Sequence, residues 1–409
     1  MKIRRYIEKD FQEIKRTWEE IGWLEPKEDK EIFKFFVESS RILVVELNGA
    51  AEASVFSISG DLNYNGVQLP LHAVAAVTTS RISRKRGLAG KVTALALARE
   101  AAAGKKIAGL GMFEQGYYNL LGFGTGPYEH HLSFDPAELK VPRSNRPPCR
   151  LGAKDFQEMH ENRLQRLQKH GSVNLYPPEV TRTDLLYKDS GFGLGFRDPD
   201  SGELTHHFWI SPDDVEHGPY NVLWTVYREN KQFLELLSLL RDLGDQINLV
   251  RIAEPSGVQL QDFLRQPMKS SRISKGGKFE VKNRALAYWQ LRILDLEGCI
   301  NNTHLPGREV SFNLELMDPV EKFLPPEEEW QGIGGEYHLT IGAESEIKRG
   351  LQNNLPTLKA SVGAFTRMWM GALPATGLGL SGDFCASEDL LEELDQVFLM
   401  PKPRLDWDF

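Results

Sequence analysis

The stretch LHAVAAVTTSRISRKRGLAGKVTALALAR, residues 71–99, constrains this 409-residue chain more than any other. It opens with small and β-branched apolar residues, passes through a basic turn containing glycine, and continues as an alanine- and leucine-rich run of good helix propensity. The order is strand, loop, helix. Such a loop presents unbonded main-chain N–H groups at the helix N-terminus, where the macrodipole adds attraction for a phosphate. Gly87 and Gly90 let a ligand approach the main chain, and Arg84, Lys85 and Arg86 bring positive charge to the same place. No Gly-Lys-Ser/Thr follows, so this is not a Walker loop, and the three-glycine dinucleotide fingerprint is missing too.

The length suggests two or three domains. A balance of 49 basic against 57 acidic residues, net −8, argues against a nucleic-acid partner and is compatible with a cationic substrate. Cys149, Cys299 and Cys385 lie far apart without metal spacing, so neither a disulfide framework nor a metal is expected, and a reducing cytoplasm is the natural setting. The charged N-terminus has no signal-peptide core, and no apolar run approaches a membrane span, so no membrane partner is expected. His130/His131 and His206/His207 are adjacent pairs; on strands they point to opposite faces and do not form chelates.

Along the chain, residues 3–6 read as a strand, and Phe11, Ile14 and Trp18 mark a helix. A second helix follows at 31–38, and strands at 41–47 and 51–59 are joined by the hairpin signal Asn48-Gly49. The helix that ends near residue 103 leads to a strand at 107–113. The proline-rich segment 135–148 reads as a linker. Residues 150–285 repeat the outline: a helix at 155–170, strands at 191–196, 203–210 and 220–227, a helix at 230–243 and a strand at 246–252. The basic loop is not repeated, because Tyr227-Arg228-Glu229-Asn230-Lys231 stands in its place and a glutamate there repels phosphate. From about residue 284 an α+β section begins, with strands at 309–316 and 335–341 and helical stretches at 355–370 and 387–398.

The spacing Arg84-x-x-Gly87-x-Ala89 resembles the pyrophosphate-binding signature Q/R-x-x-G-x-G/A of the GNAT superfamily of acetyl-CoA-dependent acyltransferases. The segment EQGYYNLLGFG, residues 114–124, resembles the E-x-x-x-Y-x-x-x-G-[FY] segment that closes the acetyl-CoA site in many of them. Taken with the three-part outline, the Trp289-Gln290-Leu291-Arg292-Ile293-Leu294-Asp295 run and the aromatic C-terminus, the chain resembles the Eis ("enhanced intracellular survival") N-acetyltransferases. The resemblance implies a mixed α/β, α+β fold: an active GNAT domain (1–148), a degenerate GNAT-like domain (149–285) and a sterol-carrier-protein-like domain (286–409). It also implies acetyl-CoA as co-substrate, a homo-oligomer (a hexamer in that family), and acetyl transfer to a small cationic amine such as an aminoglycoside or polyamine.

The same resemblance puts main-chain contacts to acetyl-CoA on Val77, Thr78 and Thr79, and the pyrophosphate on Arg84, Lys85, Arg86, Gly87, Leu88 and Ala89. The general acid falls on Tyr118 and a carboxylate in the active site on that of Phe409. Thr79 replaces a common valine, Phe113 stands where relatives often carry serine, and Asn119-Leu120-Leu121 replaces the more usual Gly-Arg-Phe. A tyrosine pKa of about 10 lies above the ~8.5 of a thiol, so full proton transfer from Tyr118 is uphill by roughly 2 kcal/mol; hydrogen bonding to the thiolate is the more modest role. An α-carboxyl near pKa 3.5 is a weak base toward an ammonium near 10, so Phe409 is expected to orient and desolvate the amine. Asp406 and Asp408 could attract a polycation. Two alternatives stay open: a CoA-binding protein without turnover, and an acetyltransferase of protein lysines or N-termini.

Overall fold

The computed structural model describes residues 1–24, 30–187, 190–267 and 275–409. The first part contains β1 (Lys2–Arg5), α1 (Phe11–Ile21), α2 (Lys30–Glu38), β2 (Arg41–Leu47), β3 (Ala50–Tyr64), β4 (Val67–Thr79), α3 (Leu88–Ala102), β5 (Ile107–Gly111), α4 (Gln115–Asn119) and β6 (Gly124–Thr125). Strands β1 to β4 pair antiparallel in sequence order, and β4 runs parallel to β5. Asn48 and Gly49, with φ of 51° and 88°, make the tight turn between β2 and β3. Ala- and Leu-rich α3 crosses over the parallel pair and is buried on most of its surface, which is why its composition is apolar nearly all round.

A second sheet repeats this plan. Cys149–Leu151, Phe192–Arg197, Leu204–Pro212 and Tyr220–Val226 pair antiparallel in turn, and Tyr220–Val226 runs parallel to Val250–Ala253. The helix Asn230–Asp242 is the crossover between those last two. The helix expected over 155–170 is Phe156–Leu164 only; the chain then turns to give Val173–Leu175, which pairs with β3 of the first sheet. The strand expected over 246–252 is Val250–Ala253.

Besides Val173–Leu175, two further strands pair with a sheet outside their own part of the chain. Glu129–Phe134, which precedes the second part, pairs antiparallel with Val250–Ala253. Trp289–Ile293, which follows the second part, pairs antiparallel with β5 and also with β6. Each sheet is thus completed beside its parallel pair by a strand from beyond the other unit. The segment expected as a free linker is packed: Leu139 and Val141 are buried in the second core, and the Ser144 main-chain N–H donates to Ser238 Oγ at 3.0 Å.

The last part is a five-stranded sheet with helices on it. Val310–Met317 lies between Gly335–Ile341, antiparallel, and Thr357–Ser361, parallel. The helix expected over 355–370 splits there. Thr357–Ser361 alternates in burial as a strand does, and only after Ser361, whose side chain caps Ala364 N–H, does the helix Val362–Trp369 begin. Trp369 stacks on Tyr64 at 4.2 Å, so this part and the first sheet share one core. The result is a mixed α/β fold with several sheets.

Arg292 and Asp318 form an ion pair at 2.7 Å with both side chains buried. Removing one partner of such a pair strands the other charge. Asp318→Ala is therefore expected to lower the unfolding free energy by about 3–5 kcal/mol, while the apolar double variant Arg292→Met/Asp318→Leu recovers most of that loss. Denaturant midpoints of the three chains measure it.

Candidate active site

Strand β4 pairs with β3 over its whole length, but with β5 only from Leu71↔Ile107 to Ala73↔Gly109. Beyond that point the parallel strands part, and the opening lies at their C-terminal ends. Between Ser54↔Thr78 and Phe56↔Ala75 the register shifts, so Ala76 and Val77 face the single residue Val55. Ala76 takes φ 46°, a conformation that side chains avoid. A bulge of this kind re-aims the main chain of Ala76 and Val77 at the opening.

The turn Arg81–Ser83 that follows is fixed by serines: Ser83 Oγ donates to Glu52 C=O at 2.8 Å and lies 3.0 Å from Ser80 Oγ. Lys85 and Gly87, with φ of 59° and 70°, then curl the chain into α3. Gly87 caps the helix without a side chain, and the first intrahelical bond runs from Lys91 N–H to Gly87 C=O at 3.2 Å. The N–H groups of Leu88, Ala89 and Gly90 have no intrahelical acceptor. Gly90 is tight: a Cβ there would lie 3.1 Å from the Phe323 ring, which comes from the last part of the chain.

Val77, Thr78, Thr79 and the run Arg84, Lys85, Arg86, Gly87, Leu88 and Ala89 all line one cavity of about 560 Å³. The structure brings together the nine residues expected to touch acetyl-CoA. Trp23, Phe113 and Tyr117 also line it. Trp23 follows α1 and is exposed at the cavity wall, while Phe33 and Phe35 are buried. The Tyr117 hydroxyl is buried without a hydrogen-bond partner among the described residues, and burial pushes its pKa up to about 12.

Tyr118 stands behind that wall. It is buried, with its ring edge-on to Tyr117 at 4.9 Å and to Phe113 at 6.0 Å. Its hydroxyl has no hydrogen-bond partner among the described residues. Burial first, and Tyr117 second, push its ionisation above the ordinary tyrosine range, so it is a neutral O–H donor at neutral pH.

Phe409 reaches β5. Its ring lies against Gly109, where a Cβ would come within 3.2 Å, and its main-chain oxygen is 3.2 Å from a Cβ built on Gly111. A smaller cavity of about 170 Å³ lies beside it, lined by Gly111, Tyr288, Trp289 and the tail residues Leu405, Trp407, Asp408 and Phe409. The two glycines in a short strand are the sequence signal for this close approach. Asp406 does not face a substrate as expected: it is paired with Arg166 at 2.5 Å, and Asp408 accepts from Tyr288 O–H at 2.8 Å. Among the described residues, no group of three or more His, Cys, Asp or Glu side chains is placed to hold a metal ion. None of their helices is long and apolar enough to cross a membrane.

The profile of the Acetyltransferase (GNAT) domain matches residues 2–126, which hold the split strands, the loop and α4. The chain carries a GNAT acetyltransferase domain. No curated protein matches the chain significantly in sequence. Its GNAT fold extends over solved structures of low identity. A probable N-acyltransferase of unknown function from Enterococcus faecalis V583 is 15% identical with a TM-score of 0.81, covering 100% of this chain and 99% of that one. A GCN5-related N-acetyltransferase from Anabaena variabilis is 16% identical with a TM-score of 0.80, and both chains are covered completely. Eis1 from Mycobacterium abscessus is 17% identical with a TM-score of 0.79, again with both chains covered completely. At these identities the likeness is one of fold.

Tyr117→Phe removes a buried hydroxyl that has no hydrogen-bond partner among the described residues. The expected outcome is unchanged stability or a gain of up to ~1 kcal/mol. A thermal or urea midpoint below that of the unaltered chain contradicts it.

Proposed function

We propose that the chain transfers the acetyl group of acetyl-CoA, directly and through a tetrahedral adduct, to a primary amine of a small cationic acceptor of aminoglycoside or polyamine type. The observation that carries this reading is the single cavity ringed by residues 77–79 and 84–89. Around it stand a helix N-terminus with open N–H groups, cationic side chains and the orphan Tyr117 hydroxyl, a set that fits a phosphorylated ligand. The GNAT fold uses acetyl-CoA.

Each residue then has a physical task. Arg84, Lys85, Arg86 and the N–H groups of Leu88 and Ala89 hold the pyrophosphate, and residues 77–79 hold the pantetheine arm by main-chain bonds. The re-aimed main chain at the β4 bulge supplies donors for the oxyanion. Tyr118, which keeps its proton, donates a hydrogen bond to the departing sulfur. The Phe409 carboxylate orients the incoming amine and favours its desolvation.

The same reading covers the rest of the chain. The units are a GNAT domain over 1–148, a GNAT-like domain without a phosphate loop over 149–285 and a sterol-carrier-protein-like domain over 286–409. Three strands, Glu129–Phe134, Val173–Leu175 and Trp289–Ile293, pair across those borders. The partners are small molecules and further copies of the chain in a hexamer, and the free cysteines fit a reducing cytoplasm.

CoA-thiol release against a panel of amines, aminoglycosides included, tests the reading. The intact chain is expected to turn over at least one amine, and the chain lacking Phe409 to lose that activity while still binding acetyl-CoA. Binding without turnover of any amine points to a binding protein, and equal activity of both chains removes Phe409 from the mechanism. In calorimetry, Arg84→Ala/Arg86→Ala is expected to weaken acetyl-CoA binding by about tenfold or more, with a larger loss at low salt.

A further inference from the structure

We propose that the second unit, which lacks a phosphate loop, serves the first as a latch: Arg166 and Arg163 grip Asp406 and Trp407 and thereby fix where Phe409 ends. This rests on the role given to Phe409 above.

The grip is specific. Arg166 Nε and Nη2 donate to the two carboxylate oxygens of Asp406 at 2.8 and 2.5 Å. The same carboxylate accepts the Val173 main-chain N–H at 3.1 Å and the Ser172 hydroxyl at 3.2 Å. Arg166 Nη1 is held in turn by Asn174 Oδ1 at 2.8 Å and the Arg163 carbonyl at 2.6 Å. Arg163 pairs with Asp184 at 2.9 Å, and its guanidinium lies between two indoles, 4.3 Å from the Trp224 ring and 3.7 Å from that of Trp407. The tail tryptophan completes that stack.

A buried ion pair gives back in attraction about what its desolvation costs, so this one is poor as a stabilising device. It is good at setting register. A slip of one residue takes the carboxylate from Arg166 and the indole from Arg163 together. Asp406 lies three residues before Phe409, a span of at most ~10 Å, so the anchor position is passed on to the chain end. Asp406 and Arg166 are positioning residues; they do not touch the reacting atoms.

The test uses the full chain and carboxypeptidase A as the probe. Asp406→Ala and Arg166→Met are each expected to release Phe409 at least tenfold faster than the unaltered chain; an unchanged rate overturns the latch. Asp406→Asn, nearly isosteric, is read beside them, so that a folding defect in one variant does not decide the matter. In the acetyl-transfer assay, Asp406→Ala is expected to lower kcat by the same factor as removal of Phe409, with the acetyl-CoA Kd within twofold of the unaltered value. The two changes combined should cost no more than either one. Additive losses overturn the proposal. If the intact chain turns over no amine, the acetyltransferase reading fails while Phe409 release still judges the latch.

Discussion

The ion pair between Arg292 and Asp318 is the knot on which the site depends. Two buried charges are tolerated because neither is short of partners. Asp318 accepts from Arg292 Nη2 at 2.7 Å, Val320 N–H at 3.1 Å and Ile333 N–H at 2.9 Å, and Arg292 also donates to the Leu121 carbonyl. Leu121 and Gly122 follow α4, which carries Tyr118. Arg292 lies on the strand that enters the first sheet from beyond the second unit, and Asp318 belongs to the last part of the chain. Three separate stretches are therefore held in one geometry, and the segment after α4 cannot shift without taking an acceptor from the buried Arg292. Phe323, five residues on from Asp318, lies close against Gly90 in the first turn of α3, so the same anchor reaches the loop at residues 84–89.

The two sheets begin their crossover helices differently. In the first, Gly87 begins α3 with nothing to occupy its N–H groups. In the second, Arg228 N–H is taken by Gln232 Oε1 at 2.7 Å, and the Arg228 side chain pairs with Glu203 at 2.6 Å. Glu229 stands at the N-cap with its negative charge. The N–H before the helix is thus occupied from within the chain, and the Glu229 carboxylate opposes an anion there. The strands exchanged at Glu129–Phe134 and Trp289–Ile293 then make the second unit a part of the first unit's surroundings, whatever it binds itself.

Much of the GNAT domain was legible in the sequence because its signals are local. The strand Arg41–Leu47, the turn at Asn48-Gly49, the loop at 84–89 and the helix after it are each set by residues within a few positions of one another. Pairing across the chain was not legible. Trp289–Ile293 has the pattern of any buried strand, and nothing in it says that its neighbour is β5, some 180 residues earlier. Leu355 to Met370 reads as one apolar run, and only the cap at Ser361 marks where strand gives way to helix. At the site, nine of the residues that line the cavity were expected from the resemblance that the spacings at 84–89 and 114–124 carry, while Tyr117 and Trp23, which also line it, were not. The tail was half legible: its aromatic end stood out, but Asp406 gave no sign of being bound to Arg166, 240 residues away.

The environment of Tyr118 also narrows the proton economy of the proposed reaction. An ammonium and a thioester yield an amide, a thiol and one released proton, so the enzyme must shed a proton overall. A tyrosine held above its ordinary range by burial neither gives up its proton readily nor needs to. Its useful act is to lend a hydrogen bond as negative charge grows on sulfur, an interaction stronger in the transition state than before it. The amine proton has to leave by another route, and the carboxylate at the chain end is too acidic to hold it for long. In the proposed reaction the labour is therefore divided: Tyr118 would stabilise developing charge, Phe409 would fix and desolvate the amine, and water would carry the proton away. That division would require the chain end to stay beside Gly109 and Gly111, where the structure holds it, which ties the proposed latch to the proposed chemistry.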